Sequence, residues 1–145
     1  MSDRIASFTE FYPWYLGEHE KPACRWLHFA GTSWFVGVAV SCLVAKPLLF
    51  GGALVVMLAL GAVFFRMEGR RSAAPVLLTM IAVVIAADPT VLAGVFGAYA
   101  CAWVGHFVIE KNRPATFTYP LWSLAGDFRM WSEMLRGQRW RVAAA

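Results

Sequence analysis

The chain has 145 residues, of which 59% are apolar and 15% charged, with a mean hydropathy of +0.56 and a formal net charge of +4. Soluble domains are about half apolar and a quarter charged, so this balance excludes an ordinary soluble domain, a disordered chain, a repeat array and a nucleic-acid-binding module. Four windows, Leu27–Ala45, Pro47–Phe65, Ser72–Ala87 and Pro89–Ile109, contain no Asp, Glu, Lys or Arg, which points to a small polytopic membrane protein forming a single domain over 1–145.

The first element precedes the apolar windows. Ser7-x-x-Glu10 fits a capping box ahead of Phe8, Phe11, Tyr12, Trp14 and Tyr15, and predicts an aromatic helix at the membrane–water interface. No signal peptide is visible, because the first apolar run begins only at Leu27.

The windows then read as transmembrane helices over 27–45, 47–65, 72–87 and 89–109. At ~1.5 Å per residue, 19 residues reach ~28 Å against a hydrocarbon thickness of ~30 Å. The 16-residue third window is the shortest and closes an even number of spans. Lys46-Pro47 predicts a tight hairpin, and Asp88-Pro89 and Ser72 with Pro75 give cap-then-proline starts for the fourth and third helices.

Charge sets the orientation. Arg4, Lys21, Arg25, Arg66, Arg70, Arg71, Lys111, Arg113, Arg129, Arg136, Arg139 and Arg141 fall on one side of this topology and only Lys46 on the other. The positive-inside rule then places both termini in the cytoplasm. After the last span, Leu121, Leu124, Phe128, Trp131 and Leu135 recur at steps of three and four, predicting an amphipathic helix over about 121–136 on the membrane surface. Trp14, Trp26, Trp122, Trp131 and Trp140 are assigned to interfacial belts, and Cys24, Cys42 and Cys101 to buried thiols.

The topology brings the only three histidines, His19, His28 and His106, to the cytoplasmic face. Gly94, Ala98 and Ala102 precede His106 at four-residue steps, a small-residue stripe that turns His106 inward, and Glu110 follows one turn later on the same face. His28 and Thr32 likewise share a face. Three imidazoles, with Glu18 and Glu110 as additional metal ligands or as groups that orient the rings, suit zinc, copper or non-haem iron; the alternative is that the histidines only seal helix ends through hydrogen bonds to carbonyls or each other. Lys111 and Arg113 read either as lipid-phosphate anchors or, with Arg25, as a clamp for an acidic head group. Two rival readings are a bis-histidine haem protein and a lipid-binding scaffold without turnover.

Phe11-Tyr12-Pro13-Trp14-Tyr15-Leu16-Gly17-Glu18-His19, Arg25-Trp26-Leu27-His28-Phe29-Ala30-Gly31-Thr32 and Gly105-His106-Phe107-Val108-Ile109-Glu110-Lys111-Asn112-Arg113-Pro114-Ala115-Thr116, with Gly126-Asp127-Phe128-Arg129-Met130, resemble the Fe(II)-dependent 2-hydroxy fatty acid dioxygenases. These are small multi-pass membrane proteins, and the likeness is to their short bacterial branch. The resemblance implies an oxygenase of fatty acid alpha-oxidation that uses Fe(II) and O2 to shorten a 2-hydroxy fatty acid by one carbon. It implies His19, His28 and His106 as iron ligands. It also implies residence in the bacterial inner membrane or, in a eukaryote, the endoplasmic reticulum.

Overall fold

The computed structural model describes residues 4–140, and those residues form helices and turns without a strand. Helix α1 runs Phe8–Gly17, α2 Pro22–Ala45, α3 Pro47–Phe65, α4 Ala74–Ala87, α5 Val91–Trp103 and α6 Pro120–Leu135. A π-helical stretch, Val104–Glu110, continues α5, and a 3-10 turn, Ala115–Phe117, precedes α6.

Three helices are long and apolar enough to cross a membrane: α2, α3, and α5 with its π-helical continuation. The expected third span is shorter than its window. Helix α4 has 14 residues, or ~21 Å, and Ser72 stays outside it with its hydroxyl accepting from Ala74 N. Helix α2 begins five residues before Leu27, because Pro22 occupies a first-turn position where no amide proton is needed. The Lys46-Pro47 hairpin separates α2 from α3 as expected. At Asp88-Pro89 the helix starts later than the proline: the Asp88 carboxylate accepts from Thr90 N, and α5 begins at Val91. Lys46 Nζ and Asp88 Oδ2 meet at 3.2 Å, tying these two hairpin ends together.

Helix α2 packs antiparallel on α5 through small residues. A Cβ on Gly31 would lie 3.1 Å from the Ala98 backbone, and one on Gly94 3.2 Å from Val38 Cβ. Such residues let helices approach until backbones touch, which supplies the dispersion contacts that drive association in lipid. Helix α3 packs mainly on α4, around Phe50, Ala53, Val84, Ala87 and Val91.

Helices α1 and α6 form a layer over one end of this bundle, with a core of their own: Phe11, Tyr12, Tyr15, Tyr119, Trp122, Met130 and Met134. The apolar face of α6 is turned onto the protein. Leu121 and Trp122 are buried within the protein, so Trp122 belongs to no interfacial belt; its indole donates to Phe65 O at 2.9 Å, and its ring stacks on Tyr119. A large indole with its one polar atom satisfied gains more inside an aromatic core than at a wet interface. At the other end of α6, Glu133 accepts from Tyr12 Oη at 2.8 Å and Arg139 Nε at 2.7 Å, fastening α6 to α1. Gly126 sits against the Tyr15 ring, where any Cβ would meet it at 3.3 Å. The Ser7 cap forms, its hydroxyl accepting from Glu10 N, and the described cysteines are free thiols.

Candidate metal centre

Each histidine arrives from a different element. His19 lies in the turn between α1 and α2, His28 in the second turn of α2, and His106 in the π-helix. All three are buried, at 0%, 5% and 3% exposure. Their ring centroids are separated by 4.4 Å (His19–His28), 4.6 Å (His19–His106) and 5.1 Å (His28–His106). One donor nitrogen from each lies within 4.8 Å of the others, a spacing that could hold a metal ion.

The outer nitrogens are all engaged. His19 Nδ1 donates to Tyr15 O at 2.7 Å, His28 Nδ1 to Asp127 Oδ1 at 2.6 Å, and His106 Nδ1 to Asn112 Oδ1 at 2.8 Å. A carbonyl can only accept, so it fixes the His19 tautomer. Asn112 is oriented by its own amide, which donates to Glu18 O and Glu18 Oε2 at 2.9 and 3.0 Å. Asp127 Oδ1 also receives the Tyr15 hydroxyl at 2.6 Å. Metal-binding imidazoles have this arrangement: one nitrogen donates to a carbonyl or carboxylate, leaving the other as a basic lone pair aimed inward.

The inner nitrogens make the stronger argument. His19 Nε2 and His28 Nε2 are 3.2 Å apart, and with both Nδ1 atoms protonated each Nε2 presents a lone pair to the other. Where both rings are neutral those lone pairs repel, and a cation between them converts the repulsion into coordination. Burial, followed by the neighbouring His28 ring, holds His19 well below the ordinary histidine range, in the neutral form a metal requires. Asp127 is the compensating charge. Burial alone would raise its pKa, but the His28 imidazole overrides that and holds it below the usual carboxylate value.

Beside the histidines lies a cavity of about 110 Å³ between the α2–α5 and α3–α4 pairs, roofed by α6. His28, His106 and Asp127 stand at one end with Thr116 and Ser123; its other walls are largely apolar. The Asp127 side chain is 25% exposed, and it lines this cavity.

The carboxylates predicted near the histidines take other positions. Glu18 reaches His106 only through Asn112. Glu110 Oε1 accepts from Lys21 N at 2.7 Å, at the N-terminus of α2. The shared face expected for His106 and Glu110 assumed α-helical spacing, and the wider π-turn rotates Glu110 away. Of the predicted clamp cations, Lys111 and Arg113 are exposed, Arg113 lying over the Phe117 ring at 5.1 Å. Arg25 is buried and donates to His19 O at 2.6 Å. Tyr15, Asn112 and Asp127 are site residues that sequence reasoning missed. Asp127 carried a signal: it lies three residues after Leu124 and four before Trp131, a lone charge on the apolar stripe.

No curated protein and no solved structure matches the chain. A family model described as "2-hydroxy-palmitic acid dioxygenase Mpo1-like" matches residues 5–139. That match takes in all three histidine-bearing elements and the roof helix with Asp127, and the chain belongs to this dioxygenase family.

Proposed function

We propose that the protein is a membrane-embedded, non-haem Fe(II) dioxygenase that acts on 2-hydroxy fatty acids and shortens them by one carbon. The observation that carries this reading is the convergence of three buried imidazoles whose outer nitrogens are all engaged and whose inner donor atoms lie within 4.8 Å of one another. Three neutral nitrogen donors with open positions suit Fe(II), which supplies O2 activation and a chelation site for a hydroxyl and adjacent carboxylate. The family description, which names 2-hydroxy-palmitic acid, supports the substrate class.

The protein's own residues divide the work. His19, His28 and His106 are the ligands. Asp127, Tyr15 and Asn112 hold their rings in one tautomer and orientation, and the negative charge of Asp127 strengthens His28 as a donor. Glu18 acts at one remove by orienting Asn112. Lys111 and Arg113, exposed beside the loop that carries Asn112, attract an acidic head group toward the site. The apolar cavity excludes water next to the imidazoles and keeps an acyl chain out of the solvent. The closeness of His19 to both other rings favours a single ion held by three ligands over a bis-histidine haem, whose macrocycle needs that space. The four apolar helices cross the membrane with the basic side and both termini in the cytoplasm.

The test is turnover. Protein purified anaerobically and supplied with Fe(II) should consume O2 in the presence of a 2-hydroxy fatty acid and yield a product one carbon shorter by mass spectrometry. A fatty acid lacking the 2-hydroxyl should give neither. O2 uptake without shortening, or no uptake at any chain length, would overturn the assignment.

A further inference from the structure

The cavity next to the histidines is a slot with one polar end and one closed end. The polar end is His28, His106 and Asp127. Going away from it, α2 descends from His28 to Phe35, α5 from His106 to Val95, and α4 from Leu77 to Val84, all lining the same space. Beyond that level the bundle is solid. Val84 is 4% exposed and packs in a cluster with Phe50, at 0%, and Val91, at 1%. Phe35 joins the same cluster, held there by Gly94, whose missing side chain admits the Phe35 ring at 3.3 Å.

We propose that Phe35, Val84 and Val95 form a stop that gauges the length of a linear acyl chain whose carboxyl head sits at the His28–His106 end. The distances set the length. Helical rise gives ~10 Å from His28 to Phe35 and ~16 Å from His106 to Val95. Carbon–carbon bonds of ~1.5 Å at angles near 111° advance an extended chain ~1.25 Å each, so the slot takes about eight to thirteen bonds. With the first two carbons at the head, this selects acids of about 10 to 15 carbons, up to just short of the palmitic chain that the family description names. The chemistry of the walls fits a chain and little else: beyond Thr32 the lining residues of α2, α3 and α4 are Phe35, Met57, Leu77, Met80, Ile81 and Val84. Tyr99 lines the slot one turn short of Val95, but the stop residues themselves, Phe35, Val84 and Val95, offer no hydrogen bond, so the slot reads length by contact there.

The inference relies on the oxygenase reading only for the identity of the head group, and its test is binding without metal. Full-length protein in detergent, stripped of metal, is titrated with straight-chain carboxylic acids of about six to about twenty carbons, reading displacement of a fluorescent fatty acid. The ratio of variant to wild-type affinity at each length cancels partition of the acid into detergent. Val84→Phe should leave the shortest acids within about twofold and weaken those beyond about ten carbons by about tenfold or more, the usual scale of overpacking a filled site. Phe35→Ala should act in reverse, strengthening only the longest acids. Val95→Phe narrows the same level from the opposite wall and repeats the Val84→Phe result if that variant fails to fold, with thermal unfolding as the control. A ratio that is flat across chain length, or no binding of any acid, would overturn the stop. Iron content measured on portions of the same preparations after Fe(II) reconstitution keeps the two claims apart. A length cut-off in protein that binds no iron refutes the oxygenase reading and spares the slot, whereas iron binding without a cut-off does the opposite.

Discussion

Two carboxylates in the same end of the molecule, one fully buried and one partly exposed, respond to desolvation in opposite ways. Glu68, at 0% exposure, takes its hydrogen bonds from main-chain amides, Trp122 N at 2.6 Å and Ala73 N at 3.4 Å. Burial prevails over these neutral donors and raises its pKa. Asp127 faces the His28 imidazole and the Tyr15 hydroxyl, and there the imidazole prevails over burial and lowers the pKa. Glu68 closes the start of α6 onto the α3–α4 turn; its partners are complete and it has nothing further to bind. Asp127 belongs to a network whose inner atoms still face each other. A buried charge by itself therefore does not mark a functional site, whereas acceptors that orient several imidazoles onto one centre do.

Removing ligands gives the largest contrast. His28→Ala or His106→Ala should abolish stoichiometric iron binding, measured by elemental analysis, whereas Glu68→Ala should leave iron content unchanged. Next comes Asp127→Asn, which keeps shape but removes the charge behind His28; iron affinity should fall by about 10- to 100-fold, read by competition with a chelator. Glu68→Ala should instead cost about 1–3 kcal/mol of stability, because it strands one amide at the start of α4 and one at the start of α6, and thermal unfolding would detect it.

Acidity distinguishes the two ends of the comparison by sign. His19 has a native pKa well below its unfolded value of about 6.5, so the unfolded chain binds more protons in between. The contribution is intact above that value and lost as pH falls toward the native pKa. Metal-free protein should therefore melt lower at acid pH than at neutral pH, with iron release following the same direction. Glu68, with its native pKa raised, contributes in the opposite sense: its share is present below the ordinary carboxylate value and lost as pH rises through the native one. The smallest effect is expected at Glu110→Gln. Its carboxylate is engaged at Lys21 N, so iron content should not change and stability should fall by about 1 kcal/mol or less.

Much of this architecture was legible in the sequence because composition and period carry it. The uncharged windows marked the apolar helices, Lys46-Pro47 marked a hairpin, and with only three histidines the charge count alone brought them to one end. The roof was not legible. The periodic residues of α6 serve equally to face lipid or to cover a bundle, and only the packing of Gly126 on Tyr15 and the burial of Trp122 show which. An α6 lying on the membrane surface would carry Asp127 away from His28, so periodicity alone does not pair them. The π-helical turn has no sequence period of its own, which is why Glu110 was expected on the face of His106. Asn112 was hidden in a run of charges whose apparent role was electrostatic, although its amide is what fixes the third imidazole.

The most direct test of the central claim is the iron content of anaerobically purified protein after Fe(II) reconstitution, compared with His106→Ala. One iron per wild-type chain and none in the variant is the predicted result. Absence of iron from both, in protein that unfolds cooperatively and is therefore folded, would contradict the metal centre and leave the three histidines as a structural seal at the end of the bundle.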